Sequence, residues 1–120
     1  MNDASFPRES RLRRQADFDR VYEGKAYAAD DVLVVNGVPN GRDDSRLGLS
    51  VSRKVGNAVV RNRWKRLIRE AFRAQRDKIP AGFDFVVRPR KGAVAGFDSV
   101  RASLVELTQR IARRAARAGR

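Results

Sequence analysis

The most regular alternation of apolar and polar residues in this sequence lies between residues 57 and 76. Spacings of three and four separate its apolar members, which are Val60, Trp64, Leu67, Ile68, Ala71 and Phe72. This spacing predicts an α-helix with one buried face. Asn57 is a suitable N-cap for that helix. The helix must end before Pro80, because a proline restricts the residue in front of it.

Shorter patterns predict the elements on either side. Residues 11–23 predict a helix, with Gly24 placed to form a left-handed C-cap. Phe18 and Tyr22 stand one turn apart and share a face of that helix. They are either core aromatics or platforms on which a nucleobase can stack.

A last helix, capped by Asp98 or Ser99, is predicted from the apolar positions Val100, Leu104, Leu107 and Ile111.

Three stretches have the composition or the alternation of β-strands: residues 32–35, 47–52 and 83–87. The second alternates at period two, and its outer face carries Gly48, Ser50 and Ser52. That face is either plainly solvated or small enough to let a ligand approach the sheet. The third follows the central helix, so it is a candidate for the second strand of a β-α-β unit.

A chain of 120 residues suits one domain. Residues 1–10 are polar and aperiodic, which is typical of a flexible tail. Residues 11–115 form the predicted domain. The Ala/Arg-rich end is expected to fray, with 116–120 as a flexible basic tail.

Charge changes the interpretation of the central helix. The chain holds 27 Lys and Arg against 14 Asp and Glu, a formal net charge of +13. Glu70 is the only acid between residues 50 and 76, and the polar face of the helix carries Asn62, Lys65, Arg66, Arg69, Arg73 and Arg76. Like charges one turn apart repel, so a polyanionic partner such as a nucleic acid is the best explanation of the row. Binding to an anionic membrane is the less favoured alternative, because the apolar face has a β-rich fold to pack on.

The residue types and motifs that the sequence lacks argue against several kinds of chemistry. The sequence has no Cys and no His, which excludes disulfides, thiolate nucleophiles and the usual zinc-finger ligands. The paired aspartates Asp30/Asp31 and Asp43/Asp44 indicate turns or opposite strand faces, not a shared metal site. No glycine motif matches a phosphate-binding loop. No apolar run is long enough for a membrane span, so a soluble, cytoplasmic protein is expected.

Two adjoining segments resemble one known family. Residues 48–58 (GLSVSRKVGNA) and 59–70 (VVRNRWKRLIRE) are similar to the strand, loop and Arg-Asn-Arg helix of the bacterial ribonuclease P protein subunit. Residues 17–24 are similar to its first helix. The resemblance implies an α+β fold, a two-layer sandwich in the order α-β-β-β-α-β-α, with a four-stranded sheet and Tyr27–Ala29 as a short first strand. It also implies a left-handed β-α-β crossover, against the usual preference. One departure is Val35, in a strand where members often carry an aromatic.

The family resemblance also implies a function. The RNA subunit of ribonuclease P catalyses removal of the 5′ leader from precursor tRNA with bound Mg²⁺, so no catalytic or metal-binding residue is expected in the protein. The residues expected to contact the RNA subunit or substrate are Arg53, Lys54, Asn57, Arg61, Asn62, Arg63, Lys65, Arg66 and Arg69. Those expected to line the leader-binding cleft are Phe18, Tyr22, Ser50 and Ser52. The partners would be the catalytic RNA and precursor tRNA, and the protein alone would be a monomer.

Two other functions share the same basic helix. A general RNA-binding or ribosome-associated protein would need no role in tRNA processing. A helix-turn-helix DNA binder is disfavoured, because strands flank the basic helix on both sides and no helix pair is recognisable.

Overall fold

The computed structural model describes residues 10–118. Its elements follow one another as α1 (Gln15–Glu23), β1 (Tyr27–Ala29), β2 (Leu33–Pro39), β3 (Arg46–Leu49), α2 (Ala58–Ala74), β4 (Phe83–Pro89) and α3 (Phe97–Ala118). A short 3₁₀ turn, Arg53–Val55, precedes α2. This order confirms the α+β fold that the resemblance implies, including the short first strand.

The four strands form one sheet in the order β1-β2-β4-β3. β2 pairs antiparallel with both β1 and β4, whereas β3 pairs parallel with β4. The parallel pair is joined through α2, so β3, α2 and β4 form the predicted β-α-β unit. The left hand of its crossover stays a prediction.

The two faces of the sheet bury different helices. Phe85 and Val87 of β4 point into the main core, which includes Trp64 of α2 and Leu104 of α3. Val86, between them, points to the other face and packs in a smaller cluster with Leu12, Val21, Phe18 and Tyr22. The sheet and the α2/α3 layer are therefore the two main layers, and α1 covers part of the opposite face. Val35 is fully buried on the α2/α3 side, so its lack of an aromatic ring has no bearing on stacking.

Helix α2 follows the predicted pattern with one exception. The Asn57 side chain accepts a hydrogen bond from the Val60 amide at 3.0 Å, as expected of an N-cap. Trp64, Ile68, Ala71 and Phe72 are buried, and Leu67 is partly buried against the same core. Val60 was predicted to be buried but is 37% exposed. It lies in the first turn, where it packs on the backbone of Gly56 instead of the sheet.

Two helix boundaries were predicted wrongly. Gly24 is right-handed, with φ −67°, and the left-handed position is taken by Lys25, with φ 59°. Helix α3 starts at Phe97, so Asp98 and Ser99 lie inside its first turn and do not cap it from outside. The Ser99 hydroxyl donates to the carbonyl of Gly96 at 3.1 Å.

The structure describes part of each predicted tail. Helix α3 continues to Ala118, so residues 116–118 are helical. At the other end Ser10 is buried and accepts a hydrogen bond from Arg76 at 3.1 Å. The remaining tail residues, 1–9 and 119–120, lie outside the described range.

Candidate nucleic-acid interface

The outer face of α2 presents cations that have no acidic partner. Asn62, Arg63, Arg66 and Arg73 are exposed, whereas Arg61, Lys65 and Arg69 are half-buried. Within residues 10–118, none of the Lys or Arg residues of α2 forms an ion pair with a carboxylate. Glu70 therefore does not neutralise the row, and the face retains its charge for an external anion.

The loop that enters α2 is ordered by its own hydrogen bonds. The Ser52 hydroxyl accepts from the Lys54 amide at 3.3 Å, and Asn57 caps the helix. Nε of Arg61 donates to the carbonyl of Gly56 at 3.3 Å, which ties the helix back to the loop. The loop thus holds Arg53 and Lys54, both exposed, at the positive end of the helix dipole. The nine residues predicted to contact RNA therefore lie on the loop and on α2, which adjoin each other in the chain.

A groove of about 200 Å³ separates α1 from α2, and we call it the α1–α2 groove. Its polar lining is entirely cationic, and the complete lining is Arg11, Leu12, Arg13, Phe18, Leu47, Leu49, Lys65 and Arg69. Arg11 and Arg13 were not among the predicted site residues. The signal that could have found them is the cationic run at residues 11–14, RLRR, ahead of the first helix.

Arg69 shows how strongly positive this groove is. Burial lowers the pKa of its guanidinium, and the positive charge of Arg11 lowers it further. Both effects disfavour the charged form and would be relieved by a bound anion. The α1–α2 groove is therefore suited to a phosphate group.

A second groove, of about 400 Å³, crosses the open part of the sheet on the α1 side, and we call it the Tyr22 groove. It is lined by Tyr22, Val34, Ser50, Ser52, Val55, Arg88, Pro89, Arg90 and Lys91. Three of the four residues predicted for the cleft meet here. Phe18 does not, because its ring covers Gly48 and lines the α1–α2 groove instead. Gly48 is therefore covered by the Phe18 ring, whereas the sequence predicted that it lies on a face open to solvent or to a ligand.

Arg88 lies at the centre of the Tyr22 groove and was missed from the sequence. Its guanidinium stands 5.8 Å from the centre of the Tyr22 ring, and Nη2 donates to the Asn36 side chain at 3.2 Å. Its Nε is buried and has no hydrogen-bond partner among the described residues. A buried donor without a partner is unfavourable, but Arg88 as a whole is only partly buried, so the rest of its side chain can face a ligand. The groove combines an aromatic face with Arg88, Arg90 and Lys91, as sites for single-stranded nucleic acids do.

Helix α1 is held over the sheet by the buried carboxylate of Asp84. Arg46 of β3 and Arg20 of α1 both donate to it, and Asn40 donates to Oδ1 at 2.9 Å. Burial opposes ionisation of Asp84, but these hydrogen bonds outweigh it and lower the pKa of the carboxyl group. This network fixes the helix that carries Phe18 and Tyr22.

Among residues 10–118, no group of three or more His, Cys, Asp or Glu side chains is placed to hold a metal ion. The described chain therefore offers no cluster of carboxylates for Mg²⁺. No helix in this range is both long and apolar enough to cross a membrane.

Comparison with known proteins identifies the family. The model of the family described as Ribonuclease P matches residues 6–112. The ribonuclease P protein component of Thermotoga maritima is 42% identical over 112 residues, covering 89% of this chain and 96% of the relative. That of Desulfovibrio desulfuricans is 41% identical over 115 residues, covering 90% of this chain and 87% of the relative.

Solved structures agree with this match. The RNase P protein of T. maritima superposes with a TM-score of 0.77 at 41% identity, covering 83% of this chain and 96% of that one. The RNase P protein of Staphylococcus aureus gives a TM-score of 0.74 at 37% identity, covering 86% and 94%. The similarity extends over most of the chain and over the fold, and the chain belongs to the ribonuclease P protein family.

Proposed function

We propose that the basic surface of α2 binds the catalytic RNA of ribonuclease P, while the Tyr22 groove binds the 5′ leader of precursor tRNA. The chain is a subunit of the endoribonuclease that matures the 5′ end of tRNA, as its family membership establishes. Its partner is an RNA. The assignment of each surface to one RNA, the single-copy state of the free protein and its place in the cytoplasm are parts of the proposal.

The row of cations on α2 without ion pairs is the observation that carries the proposal. An RNA helix is recognised mainly through its phosphates and shape, which requires a rigid array of cations and little else. α2 meets this requirement because its opposite face is anchored by Trp64, Ile68 and Phe72 in the core. Exposed residues on that helix cannot shift without unpacking the anchor.

The Tyr22 groove differs in a way that suits a single strand. It offers an aromatic ring at Tyr22, small hydroxyl side chains at Ser50 and Ser52, and a cation at Arg88. Bases of a single strand can stack on such a ring whatever their sequence. A leader whose sequence varies among substrates needs that kind of tolerance.

The protein contributes binding and charge neutralisation in this scheme, and cleavage belongs to the RNA. Mg²⁺ would be held chiefly by the RNA subunit and the substrate, where it supplies Lewis-acid and water-activating chemistry. Cations from α2 would reduce repulsion between the two RNAs. We expect the protein to lower the Mg²⁺ concentration at which the complex assembles.

Reconstitution tests the proposal directly. The protein is mixed with bacterial ribonuclease P RNA and precursor tRNA over a range of Mg²⁺, and correct 5′ cleavage is measured. Two substrates are compared, one with its leader and one trimmed to the mature 5′ end. We expect the protein to lower the Mg²⁺ requirement and to raise affinity for the substrate that retains the leader.

Two results would contradict parts of this proposal. An unchanged Mg²⁺ requirement would mean that α2 does not support assembly with the RNA subunit. Equal gains in affinity for both substrates would remove the leader from the Tyr22 groove.

A further inference from the structure

An exposed tyrosine stands on the free edge of the sheet, outside the surfaces described so far. β1 is the terminal strand and pairs only with β2. Tyr27 is 56% exposed, whereas the next residue, Ala28, is buried in the main core. Because side chains alternate along a strand, Tyr27 belongs to the α1 side of the sheet. This is the side that carries the Tyr22 groove.

A groove of about 500 Å³ runs along this edge, and we call it the edge groove. Its lining is Lys25, Ala26, Tyr27, Ala28, Ala29, Arg110 and Arg114. The Arg114 side chain, from α3, donates a hydrogen bond to the carbonyl of Tyr27. Because α3 packs on the face of the sheet opposite to α1, this contact holds the guanidinium at the free edge, next to the backbone of Tyr27, and leaves its other N–H groups available.

The edge groove has an excess of positive charge. Within residues 10–118, no acidic residue forms an ion pair with Lys25 or Arg114. Arg110, by contrast, forms an ion pair with Glu106 at 3.1 Å. Two free cations and an exposed aromatic ring therefore lie together, which is the combination that binds phosphates and a stacked base.

The edge groove adjoins the Tyr22 groove. Val34 of β2 lines the Tyr22 groove and Ala29 of β1 lines the edge groove, and these two residues are direct partners in the β1–β2 register. Cross-strand partners have Cβ atoms about 4.5–5.5 Å apart. The β1 residue at this junction is alanine, whose small side chain adds little bulk between the two grooves.

From this geometry we propose that a single-stranded RNA lying in the Tyr22 groove continues over Val34 and Ala29 into the edge groove, where a base stacks on Tyr27. Lys25 and Arg114 bind the neighbouring phosphates. The inference rests on the proposed function in one respect, that RNA occupies the Tyr22 groove. A peptide added to β1 as a further strand fits less well, because Arg114 occupies the edge carbonyl of Tyr27 that such a peptide would need.

Binding of oligoadenylates to the full chain tests the proposal without the RNA subunit. Lengths from about 4 to about 12 nucleotides span the usual site sizes of small single-strand binding folds. Fluorescence anisotropy gives the affinity of each length for the wild type, Tyr27→Ala and the matched control Tyr27→Phe, which keeps the ring. For the longest oligomers we expect Tyr27→Ala to lose about 5- to 100-fold in affinity, the effect of one stacked base.

The expected pattern depends on length. The shortest oligomers should bind Tyr27→Ala and the wild type equally, and Tyr27→Phe should resemble the wild type throughout. Lys25→Ala should lower the salt dependence for long oligomers only. Equal affinity of Tyr27→Ala and the wild type at every length would overturn the proposal, and so would an equal loss at every length.

A second measurement uses the unmodified protein, in case Tyr27→Ala fails to fold. The sequence contains only two tyrosines, Tyr22 and Tyr27, so their ring signals are readily distinguished by NMR. Saturation with a long oligoadenylate should shift both ring signals, and an unchanged Tyr27 signal would refute the proposal. Failure of the proposed function would be a different result, namely no stimulation of ribonuclease P RNA by the wild-type protein.

Discussion

Arg46 holds the buried carboxylate of Asp84 with two hydrogen bonds, from Nε to Oδ1 at 2.9 Å and from Nη2 to Oδ2 at 2.7 Å. The two residues are partners in the register of the parallel strands β3 and β4. Because Arg20 of α1 donates to the same carboxylate, Asp84 joins the β-α-β unit to the helix that carries Tyr22. The packing of the α1–α2 groove and of the Tyr22 groove therefore depends on the buried charge of Asp84.

Asp84→Ala is expected to lower the free energy of unfolding by about 3 kcal/mol. Removal of one partner from a buried ion pair leaves the other charges poorly solvated, and the lower end of the usual range applies because Arg46 remains 21% exposed. Urea denaturation measures the change. Asp98→Ala is the matched control, since Asp98 is 91% exposed in its ion pair with Arg101 and lies in the first turn of α3, so its loss should cost no more than about 1 kcal/mol. Equal effects of the two variants would contradict the role assigned to Asp84.

The stability conferred by Asp84 should also depend on pH. Its pKa is lower in the folded chain than the ordinary value of 3.8, so the unfolded state binds a proton first as the solution is acidified. The contribution is fully present above pH 3.8 and is lost as the pH falls through the lowered pKa. We therefore expect the difference in unfolding free energy between the wild type and Asp84→Asn to shrink below that pH. A difference that stays constant with pH would mean that the charge of Asp84 is not what stabilises the fold.

Gly48→Ala is expected to disturb the packing of α1 against the sheet. A Cβ at this position would lie 2.8 Å from Cζ of Phe18 and 3.1 Å from Cβ of Leu12. Overpacking of this kind costs about 1–3 kcal/mol of stability. The double variant Gly48→Ala/Phe18→Leu should recover part of the loss, as measured by a double-mutant cycle in urea. Strictly additive effects would show that Phe18 and Gly48 are not in contact.

Local patterns predicted most of α2, because its apolar spacing, its cap at Asn57 and its breaker at Pro80 all point to the same element. The apolar patterns of β4 and α3 also located both elements, although the cap predicted for α3 was wrong. The short strand β1 has no such signal: Tyr27–Ala29 is three residues long and is held by pairing with β2 and by Arg114 from a distant helix. The resemblance to a family supplied that strand, whereas periodicity did not.

The site was less predictable because its grooves are made by residues that are distant in the chain. Arg88 lines the Tyr22 groove only because β4 runs between β2 and β3. Arg11 and Arg13 reach the α1–α2 groove because the segment before α1 runs beside β3, where the Leu12 amide donates to the Leu47 carbonyl at 2.9 Å. The groove that Phe18 lines was unpredictable for a related reason. A shared helical face shows that Phe18 and Tyr22 point the same way, but not which strand lies under each.

Arg66→Ala is expected to weaken RNA binding without unfolding the protein. Arg66 is exposed on α2 and has no ion pair among the described residues, so its loss should change stability by less than about 0.5 kcal/mol. Loss of one phosphate contact should reduce the slope of log affinity against log salt by about 0.7–0.9. Titration with ribonuclease P RNA at several salt concentrations measures that slope. An unchanged slope would remove Arg66 from the interface.

Ile68→Val is the matched control for Arg66→Ala, since Ile68 lies two residues further along α2 and is fully buried. It should cost about 0.5–1.5 kcal/mol of stability and leave the salt dependence of RNA binding intact. If Ile68→Val were the variant that changed the slope, the two faces of α2 would have been assigned the wrong way round.

Arg88 and Tyr22 should act together on the leader. The guanidinium lies 5.8 Å from the centre of the ring, and its unpartnered Nε is buried beneath the groove. A strand that stacks on Tyr22 therefore passes close to the Arg88 guanidinium and can contact both side chains, so loss of either one should weaken the contribution of the other. We expect Arg88→Ala and Tyr22→Ala each to reduce affinity for precursor tRNA that retains its leader. The effect of the double variant should be smaller than the sum of the two single effects.

The substrate trimmed to its mature 5′ end separates this coupling from a general loss of charge. Neither variant should alter affinity for the trimmed substrate, whereas Arg66→Ala should weaken the binding of both substrates if α2 contacts the RNA subunit. Arg88→Lys should recover little, because an ammonium group cannot reproduce the planar fork that reaches Asn36 and the groove together. Additive losses from Arg88→Ala and Tyr22→Ala would show that the two side chains bind different parts of the RNA.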